Sequence, residues 1–324
     1  MAKIHSLFFF LLLSISSFLT QAQIDQQLVT QFVADFPGMY GISDDEVKTI
    51  LSKAEYKADI IEKITKPAEG TMTWERYRNI FMKDERINAG VDFWKEHKEI
   101  INNVSEQTGI PEQTILGILG VETFFGQRKG SYRVLDALYT LSFGYPKRSK
   151  FFRSELEEFI VLCHKEKLDI YEVKGSYAGA IGYCQFMPSS YRAYAVSYDD
   201  DGSRDLSNQV GDAIASIANY LKEHRWKEGE PVATIAKTSG NTVELPKQSL
   251  RPKYKAAYYI NQGYEPSNDI SSDQSATLIA FDFENADDEF WFCFDNFHVI
   301  TRYNHSQLYA LAVYQLGEAI AEKM

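Results

Sequence analysis

The 324-residue sequence predicts a mainly α-helical fold with a small β-containing insertion. Apolar residues recur at helical spacing in residues 209–224 and again from Leu308 onward. Between residues 229 and 299 this spacing gives way to two short alternating runs, TLIAFDF and EFWFCF, and the polar turn ENADDE between them indicates a β-hairpin. We therefore expect a signal peptide, a helical domain, the insertion and a C-terminal helix that returns to the helical domain, at residues 1–22, 23–228, 229–299 and 300–324.

The N-terminal segment has the pattern of a secretory signal peptide. Lys3 and His5 precede the apolar run LFFFLLLSISSFL, and the small residues of TQA place a cleavage site after Ala22. The run is too short to span a membrane, and no later segment has an unbroken apolar stretch of that length. We expect an exported, soluble mature chain, without a lipid anchor because no cysteine stands at the cleavage site.

Net charge and cysteine content argue against a nucleic-acid-binding protein and against a fold that depends on disulfides. A net charge of −11 argues against nucleic-acid binding, which needs a basic surface. Three cysteines in so long a chain provide few cross-links, and an odd number leaves at least one thiol unpaired. We therefore expect buried free thiols rather than a disulfide framework at Cys163, Cys184 and Cys293.

The helical domain begins with amphipathic helices. Ser43 and Glu46 form a capping box at the start of the second of these. A later helix carries His97, which we interpret as a core or edge histidine because no second metal-binding side chain stands at ligand spacing near it. The apolar stripes consist of Leu28, Val29, Phe32, Val33 and Phe36; of Val47, Ile50, Leu51 and Ala54; and of Phe93, Trp94, His97, Ile100 and Ile101.

Three further helices follow the centre of the chain, separated by a glycine-rich segment. Ser149 opens the first of them. The segment KGSYAGAIGYCQFMPSSYRAYAV either lets backbone approach a ligand closely or serves as a turn-rich connector. The stripes are Phe152, Leu156, Phe159, Ile160 and Cys163; Val210, Ala213, Ile214, Ile217, Ala218 and Leu221; and Leu308, Leu311, Ala312, Leu316, Ala319 and Ile320.

A carboxylate lies on the apolar face of the central helix. In the run TILGILGVETFFGQ, residues 114–127, Glu122 continues the stripe formed by Ile115, Ile118 and Leu119. Pro111 suits the first turn of this helix and Gly126 suits its end, so Glu122 falls in the last turn. Gly117 and Gly120 allow another backbone to come close.

This position of Glu122 favours acid–base chemistry. A carboxyl that has lost water and faces the negative end of a helix dipole is favoured in its protonated form. A general acid that works near neutral pH needs this property. The spacing alone fits a surface residue at a helix end, or a carboxylate paired with an arginine, equally well.

The segment SYDDDGSRDLSN, residues 197–208, has the outline of a calcium-binding loop. Oxygen-bearing side chains recur at alternate positions, and Gly202 supplies the turn. The first position is serine rather than aspartate and the last is Asn208 rather than glutamate, so the loop carries less charge than the standard pattern. A solvated acidic turn is the alternative, and a bound calcium would be structural. The predicted ligands are Ser197, Asp199, Asp201 and Asp205.

Four long motifs occur in order along the chain: GVETFFGQ, LDALYTLSFGYPKRSKFF, KGSYAGAIGYCQFMPSSYRAYAV and VITRYNHSQLYALAVYQLGEA. Together they resemble the B-type lytic murein transglycosylases over nearly the whole mature chain. The resemblance implies a lysozyme-like helical core, a cleft for the glycan strands of peptidoglycan, a periplasmic location and Glu122 as the single catalytic acid and base. The common hydrolase, metalloprotease and nucleotide-binding motifs are absent from the sequence.

The resemblance also implies a set of substrate-binding positions. Ser176 and Gln185 match positions that hold sugar and N-acetyl groups beside the catalytic carboxyl. Positions on the far wall of the cleft are matched by Tyr303, Asn304 and Tyr309. Further cleft positions are matched by Tyr77, Arg148 and Tyr220. The chain departs from the family at Lys147, Phe151 and Cys184, which stand where arginine, tyrosine and glycine are usual.

The implied reaction cleaves the β-1,4 bond between N-acetylmuramic acid and N-acetylglucosamine and forms 1,6-anhydro ends. It requires no cofactor, and calcium would have a structural role. No second acid lies in the catalytic motifs, and we interpret Asp136 as a structural residue. If Asp136 faced Glu122, a hydrolytic muramidase would be the better interpretation. A non-catalytic peptidoglycan-binding protein is the second alternative.

Overall fold

The computed structural model describes residues 24–36, 40–66, 72–238, 249–284 and 286–324. The predicted signal peptide lies outside these ranges. The α-helices in the described ranges are α1 (Gln26–Asp35), α2 (Asp44–Ser52), α3 (Ala58–Thr65), α4 (Trp74–Phe81), α5 (Asp84–Glu96), α6 (Lys98–Thr108), α7 (Glu112–Thr123), α8 (Val134–Gly144), α9 (Ser149–Glu166), α10 (Pro188–Tyr194), α11 (Val210–Glu223), α12 (Ala256–Ile260), α13 (Asp295–Tyr303) and α14 (Gln307–Ala321). The strands are β1 (Tyr132–Arg133), β2 (Lys174–Gly175), β3 (Ala233–Thr238), β4 (Tyr254–Lys255), β5 (Tyr264–Pro266), β6 (Ser275–Phe281) and β7 (Glu289–Cys293).

The mainly helical class predicted from the sequence is confirmed, and local chemistry explains several helix ends. The Ser43 hydroxyl accepts a hydrogen bond from the amide of Glu46 at 3.3 Å, which caps α2. Helix α9 begins at Ser149, as predicted. Helix α11 lies between Gln209 and His224, which serve as its caps.

Helices α7 and α14 pack with their backbones in close contact. A Cβ atom on Gly117 would overlap the carbonyl oxygen of Val313, and one on Gly317 would overlap that of Gln113. The predicted close approach at Gly117 is therefore confirmed, and the partner is the last helix of the chain. This contact fixes the position of α14 along α7 and so determines which α14 side chains reach the end of α7.

The strands β4, β6, β7, β3 and β5 form, in that order, an antiparallel sheet. The predicted hairpin is β6–β7, in register from Thr277 opposite Cys293 to Phe281 opposite Glu289. Alternate residues face different cores, because Ile279 joins the main helical core while Leu278 joins a small separate cluster.

The sheet meets the helical part at α4. The Trp74 ring lies 5.2 Å from that of Phe281, and the Trp74 amide donates to the Asp282 carboxylate at 2.9 Å. The limits of the insertion at residues 229–299 stay a prediction.

The three cysteines are buried free thiols, as expected. Among the described residues, no helix has both the length and the apolar character that crossing a membrane requires.

Candidate active site

Glu122 is the second-last residue of α7. The stripe that leads to it is fully buried, but Glu122 itself is half-buried, because the helix reaches the edge of the core at its last turn. The helix ends at Thr123, earlier than the predicted end at Gly126. Phe124, Phe125 and Gly126 follow with φ angles of 52°, 56° and 84°. Two consecutive non-glycine residues in the left-handed region are costly, so surrounding contacts must hold this turn in place.

Side chains from two other regions anchor the end of α7. The Thr123 hydroxyl donates to the Tyr183 carbonyl at 3.2 Å and accepts from the Gly126 amide at 2.9 Å. The buried guanidinium of Arg86 donates to the Gly120 carbonyl and lies 4.6 Å from the centre of the Phe124 ring. A cation at this position offsets the negative end of the helix dipole beside Glu122.

A tyrosine of α14 binds the Glu122 carboxyl. The Tyr309 hydroxyl donates to Oε1 of Glu122 at 2.6 Å, and Tyr309 is only 2% exposed. Burial first, and then the charge of Glu122, raise the pKa of Tyr309 well above its ordinary value. The phenol therefore stays protonated across the physiological range and acts as a fixed hydrogen-bond donor to the carboxyl.

Four rings pack in a continuous cluster that we call the aromatic wall: Tyr309, Tyr303, Tyr220 and Phe186. Tyr303 is half-buried and the other three are buried. The Tyr303 ring stacks on that of Tyr309 at 6.4 Å and lies 4.8 Å from Tyr220 and 5.6 Å from Phe186. The Tyr303 hydroxyl donates to the Cys184 carbonyl at 2.7 Å, and the Tyr220 hydroxyl donates to the Arg302 carbonyl at 2.6 Å. These bonds fix the ring positions, and flat apolar rings of this kind suit the faces of sugar residues.

The glycine-rich segment lies against the end of α7. A Cβ on Gly126 would overlap the Tyr183 ring, so the two segments approach as closely as glycine permits. The Gln185 amide nitrogen donates to the carbonyls of Lys129 and Gly182, at 3.1 and 2.9 Å. The Ser176 hydroxyl accepts from the amides of Ala178 and Ala180. Both predicted sugar-binding side chains are therefore held in fixed, half-buried positions.

The remaining predicted cleft residues have different environments. Tyr77 is 1% exposed, packs on Phe81 at 5.1 Å, and lies close enough to Tyr309 to affect its pKa, so it supports that residue from the core side. Asn304 is exposed and follows α13. The exposed guanidinium of Arg148 lies 4.3 Å from the centre of the Phe151 ring.

Asp136 is fully engaged in structural contacts. Its carboxylate accepts bonds from Nε and Nη2 of Arg133 at 2.8 and 2.7 Å and from the Glu55 amide at 2.8 Å, and it is 2% exposed. Its interpretation as a structural residue therefore fits the geometry. Asp136 joins α8 to the segment between α2 and α3.

The buried carboxylates Glu155 and Asp212 also accept bonds from backbone amides. The Ser189 amide and hydroxyl bind Glu155, and the amides of Tyr198 and Asp205 bind Asp212. Both side chains therefore have structural partners of their own.

In the acidic loop, three predicted calcium ligands converge and the fourth has a different role. The Ser197 hydroxyl lies 3.2 Å from Asp199 and 3.4 Å from Asp201. Both carboxylate oxygens of Asp205 accept bonds within the following turn, from Ser207 and Asn208. Among the residues that the structure describes, no group of three or more Asp, Glu, His or Cys side chains is arranged to hold a metal ion. Calcium binding here stays a prediction.

Sequence reasoning missed several residues of the site. Phe186 follows Gln185 directly, so its place in the motif was a usable signal. His224, whose ring stacks on that of Tyr220 at 4.1 Å, lies one helical turn after it. Arg86 and Thr123 gave no such signal, because their contacts depend on how distant segments pack.

Comparisons with known proteins match nearly the whole chain. A family model described as the transglycosylase SLT domain matches residues 25–318. Membrane-bound lytic murein transglycosylase B of Escherichia coli (strain K12) is 38% identical over 300 residues, which cover 90% of this chain and 82% of that protein.

Two solved structures are similar in both fold and sequence. Soluble lytic transglycosylase SltB1 from Pseudomonas aeruginosa is 40% identical with a TM-score of 0.83, and the match covers 92% of this chain and 99% of that one. Slt35 of Escherichia coli, solved in complex with calcium, is 37% identical with a TM-score of 0.83, and the match covers 91% of this chain and 93% of that one. On these grounds the chain belongs to the transglycosylase SLT domain family, among the B-type lytic murein transglycosylases.

Proposed function

We propose that this enzyme cleaves the β-1,4 bond between N-acetylmuramic acid and N-acetylglucosamine in peptidoglycan and leaves 1,6-anhydro ends, with Glu122 as the only acid and base. The observation that carries the proposal is the bond from Tyr309 to Oε1 of Glu122 at one end of the aromatic wall. This bond orients one carboxyl oxygen beside a surface suited to sugar rings.

The proposed reaction uses the same carboxyl twice. Protonated Glu122 donates its proton to the glycosidic oxygen as the bond to the anomeric carbon breaks. The 2-acetamido oxygen of the muramyl residue attacks that carbon, in place of the second carboxylate that most glycosidases use. Glu122, now ionised, takes the proton of the muramyl 6-hydroxyl, whose oxygen displaces the acetamido group and closes the anhydro ring.

Protein side chains around Glu122 bind and orient the sugar in this scheme. Ser176 and Gln185 contact the sugar and its N-acetyl group, while Tyr303 and Tyr309 present the wall. Asn304 keeps its predicted place on the far wall of the cleft, and Tyr77, Arg148 and Tyr220 keep theirs as further cleft positions. Tyr77 is buried, as are Tyr220 and Tyr309.

A hydrolytic muramidase is the competing function, and its products distinguish it. Asp136 would have to deliver water opposite Glu122, but Arg133 and the Glu55 amide bind its carboxylate. Digestion of purified sacculi followed by mass analysis should show anhydro-muramyl ends. Reducing muramyl ends as the main product would reject the proposal in favour of hydrolysis.

A periplasmic location forms part of the proposal. It rests on the signal-peptide pattern of residues 1–22. One relative is described as membrane-bound and another as soluble, so the two differ in attachment. Fractionation of cells, with the mass of the mature protein, tests both export and cleavage after Ala22. A lipid-modified N-terminus would contradict the expected absence of an anchor.

Replacing Tyr309 by phenylalanine should lower kcat about 10- to 100-fold while changing strand binding little. The ring stays in the aromatic wall, but the carboxyl loses a charge-assisted hydrogen bond that is worth about 1.5–3 kcal/mol. Steady-state kinetics on peptidoglycan strands, with thermal melting, would measure this. The matched control is Tyr259→Phe, because Tyr259 is equally buried but belongs to the small cluster of the sheet. Equal activity of the two variants would contradict the role of Tyr309.

Calcium should raise the melting temperature by a few degrees. The charges of Asp199 and Asp201, after burial, raise the pKa of Asp212, so a cation at this loop would relieve repulsion. Melting curves with calcium and with a chelator would test this, and an Asp199→Asn/Asp201→Asn variant should lose the shift. Magnesium serves as the control cation, since the loop pattern is that of calcium. Identical melting curves in calcium and chelator would refute the prediction.

A further inference from the structure

A basic pocket adjoins the aromatic wall at Tyr220, whose ring stacks on that of the pocket residue His224. Its volume is about 540 Å³, and four cations line it together with the carboxylates Glu223 and Asp295. The cations are Arg225, Lys227, Arg251 and Arg302. The whole chain has a net charge of −11, so this concentration of cations is a local feature. A site that attracts anions in an acidic protein needs such a feature.

Three of the four cations carry a charge that no ion pair neutralises. Lys227 pairs with Asp295 at 2.5 Å. Within the described part of the chain, by contrast, none of Arg225, Arg251 and Arg302 takes part in an ion pair. Arg251 and Arg302 act on His298 in the same pocket, whose pKa is lowered first by burial and then by these two charges. The unpaired positive charge of the pocket therefore resides on Arg225, Arg251 and Arg302, and the last two are the ones that act on His298.

The pocket shares structural elements with the proposed cleft. His224 lines the pocket, and its ring stacks on that of Tyr220, a member of the aromatic wall, at 4.1 Å. The Tyr220 hydroxyl donates to the carbonyl of Arg302, and Arg302 directly precedes Tyr303 in α13. The pocket is therefore connected to the wall through Tyr220 and α13.

We propose that Arg251 and Arg302 bind the carboxylates of the stem peptides that a peptidoglycan strand carries. This rests on the proposed function, since it takes the strand as the substrate. Guanidinium groups bind carboxylates through two parallel hydrogen bonds, and both side chains are exposed enough to do so.

The pocket begins one ring contact from Tyr220, which is within the span of a stem peptide. The successive ring distances from Tyr309 through Tyr303 and Tyr220 to His224 are 6.4, 4.8 and 4.1 Å. An extended peptide of four residues spans about 14 Å. Because the peptide is joined to the bound strand, even weak contacts act at a high effective concentration. A free phosphate-bearing polymer lacks this advantage, so the peptide is the better occupant.

The test measures binding rather than turnover, on full-length protein carrying Glu122→Gln. Three strands serve as probes: native strands with stem peptides, strands whose peptides have been removed by an amidase, and strands whose peptide carboxylates have been amidated. The Arg251→Gln/Arg302→Gln variant is compared with Lys95→Gln/Lys98→Gln. This control removes the same charge from two exposed positions of α5 and α6.

We expect native strands to bind about tenfold more tightly than the other two, and the arginine variant to bind all three equally. An Arg251→Lys/Arg302→Lys variant keeps the positive charge and should keep part of the preference for native strands. This result would show that the loss in the glutamine variant comes from lost charge and not from misfolding. The proposal fails if the arginine variant retains the full preference, if the lysine control loses as much, or if amidated strands bind like native ones. Failure of the proposed function would appear separately, in the product analysis of the unmodified enzyme.

Discussion

Replacing Glu122 by glutamine should abolish lysis of peptidoglycan, lowering kcat at least about a thousandfold. Glutamine has the same shape, and its carbonyl oxygen can still accept the hydrogen bond from Tyr309. It cannot give a proton to the glycosidic oxygen or take one from the 6-hydroxyl. Strand binding should therefore change little, so the variant separates binding from chemistry. Turbidity of sacculi and a pull-down with insoluble peptidoglycan measure the two properties.

The matched control for this variant is Glu112→Gln. Glu112 is the first residue of the same helix, and the length of α7 separates it from the site. Its replacement removes the same charge and should leave lysis unchanged. Unchanged lysis in Glu122→Gln would refute the assignment of the acid, and loss of strand binding would show that the residue serves mainly in recognition.

Replacing Gly117 by alanine should destabilise the protein by about 3 kcal/mol and lower its activity. Alanine normally favours a helix over glycine. Here, however, the added methyl group would overlap the Val313 carbonyl, and a backbone atom cannot move aside as a side chain can. Helix α14 would have to shift along α7, which would displace the Tyr309 hydroxyl from Glu122. The free energy of unfolding, measured by chemical denaturation, and kcat, measured by steady-state kinetics, should therefore fall together.

Two further variants serve as comparisons for Gly117→Ala. Gly317→Ala places a methyl group against the Gln113 carbonyl on the opposite side of the same contact, so it should have a similar effect. Gly229→Ala adds a methyl group where no heavy atom lies within 4 Å, at a φ of +72°, so it should cost only the backbone strain of about 1–2 kcal/mol. A stable, fully active Gly117→Ala protein would show that the packing of α7 and α14 does not position the site.

Local patterns were sufficient to predict the positions of the main elements. Ile115, Ile118 and Leu119 are fully buried, so their spacing placed Glu122 on the correct helix and face. The alternation in β6 and β7 predicted the hairpin because the two faces of each strand pack against different hydrophobic clusters. These features depend on residues close together in the chain, which is why periodicity detects them.

Contacts between distant segments were not predictable in the same way. Arg86 is 7% exposed and binds the end of α7, yet its own helix pattern does not distinguish it from a surface arginine. Tyr77 and Tyr309 are both buried tyrosines, and only the docking of α14 at Gly117 decides that Tyr309 bonds to Glu122. The early end of α7 likewise depends on Thr123 meeting the glycine-rich segment.

The most direct test of a single carboxyl acting without water is digestion of sacculi in water enriched in oxygen-18, followed by mass analysis of the muramyl ends. If Glu122 takes the proton of the 6-hydroxyl as the ring closes, the ends should be anhydro sugars that carry no oxygen-18. Reducing muramyl ends that carry oxygen-18 would show that water attacks the anomeric carbon, and would contradict the proposed mechanism.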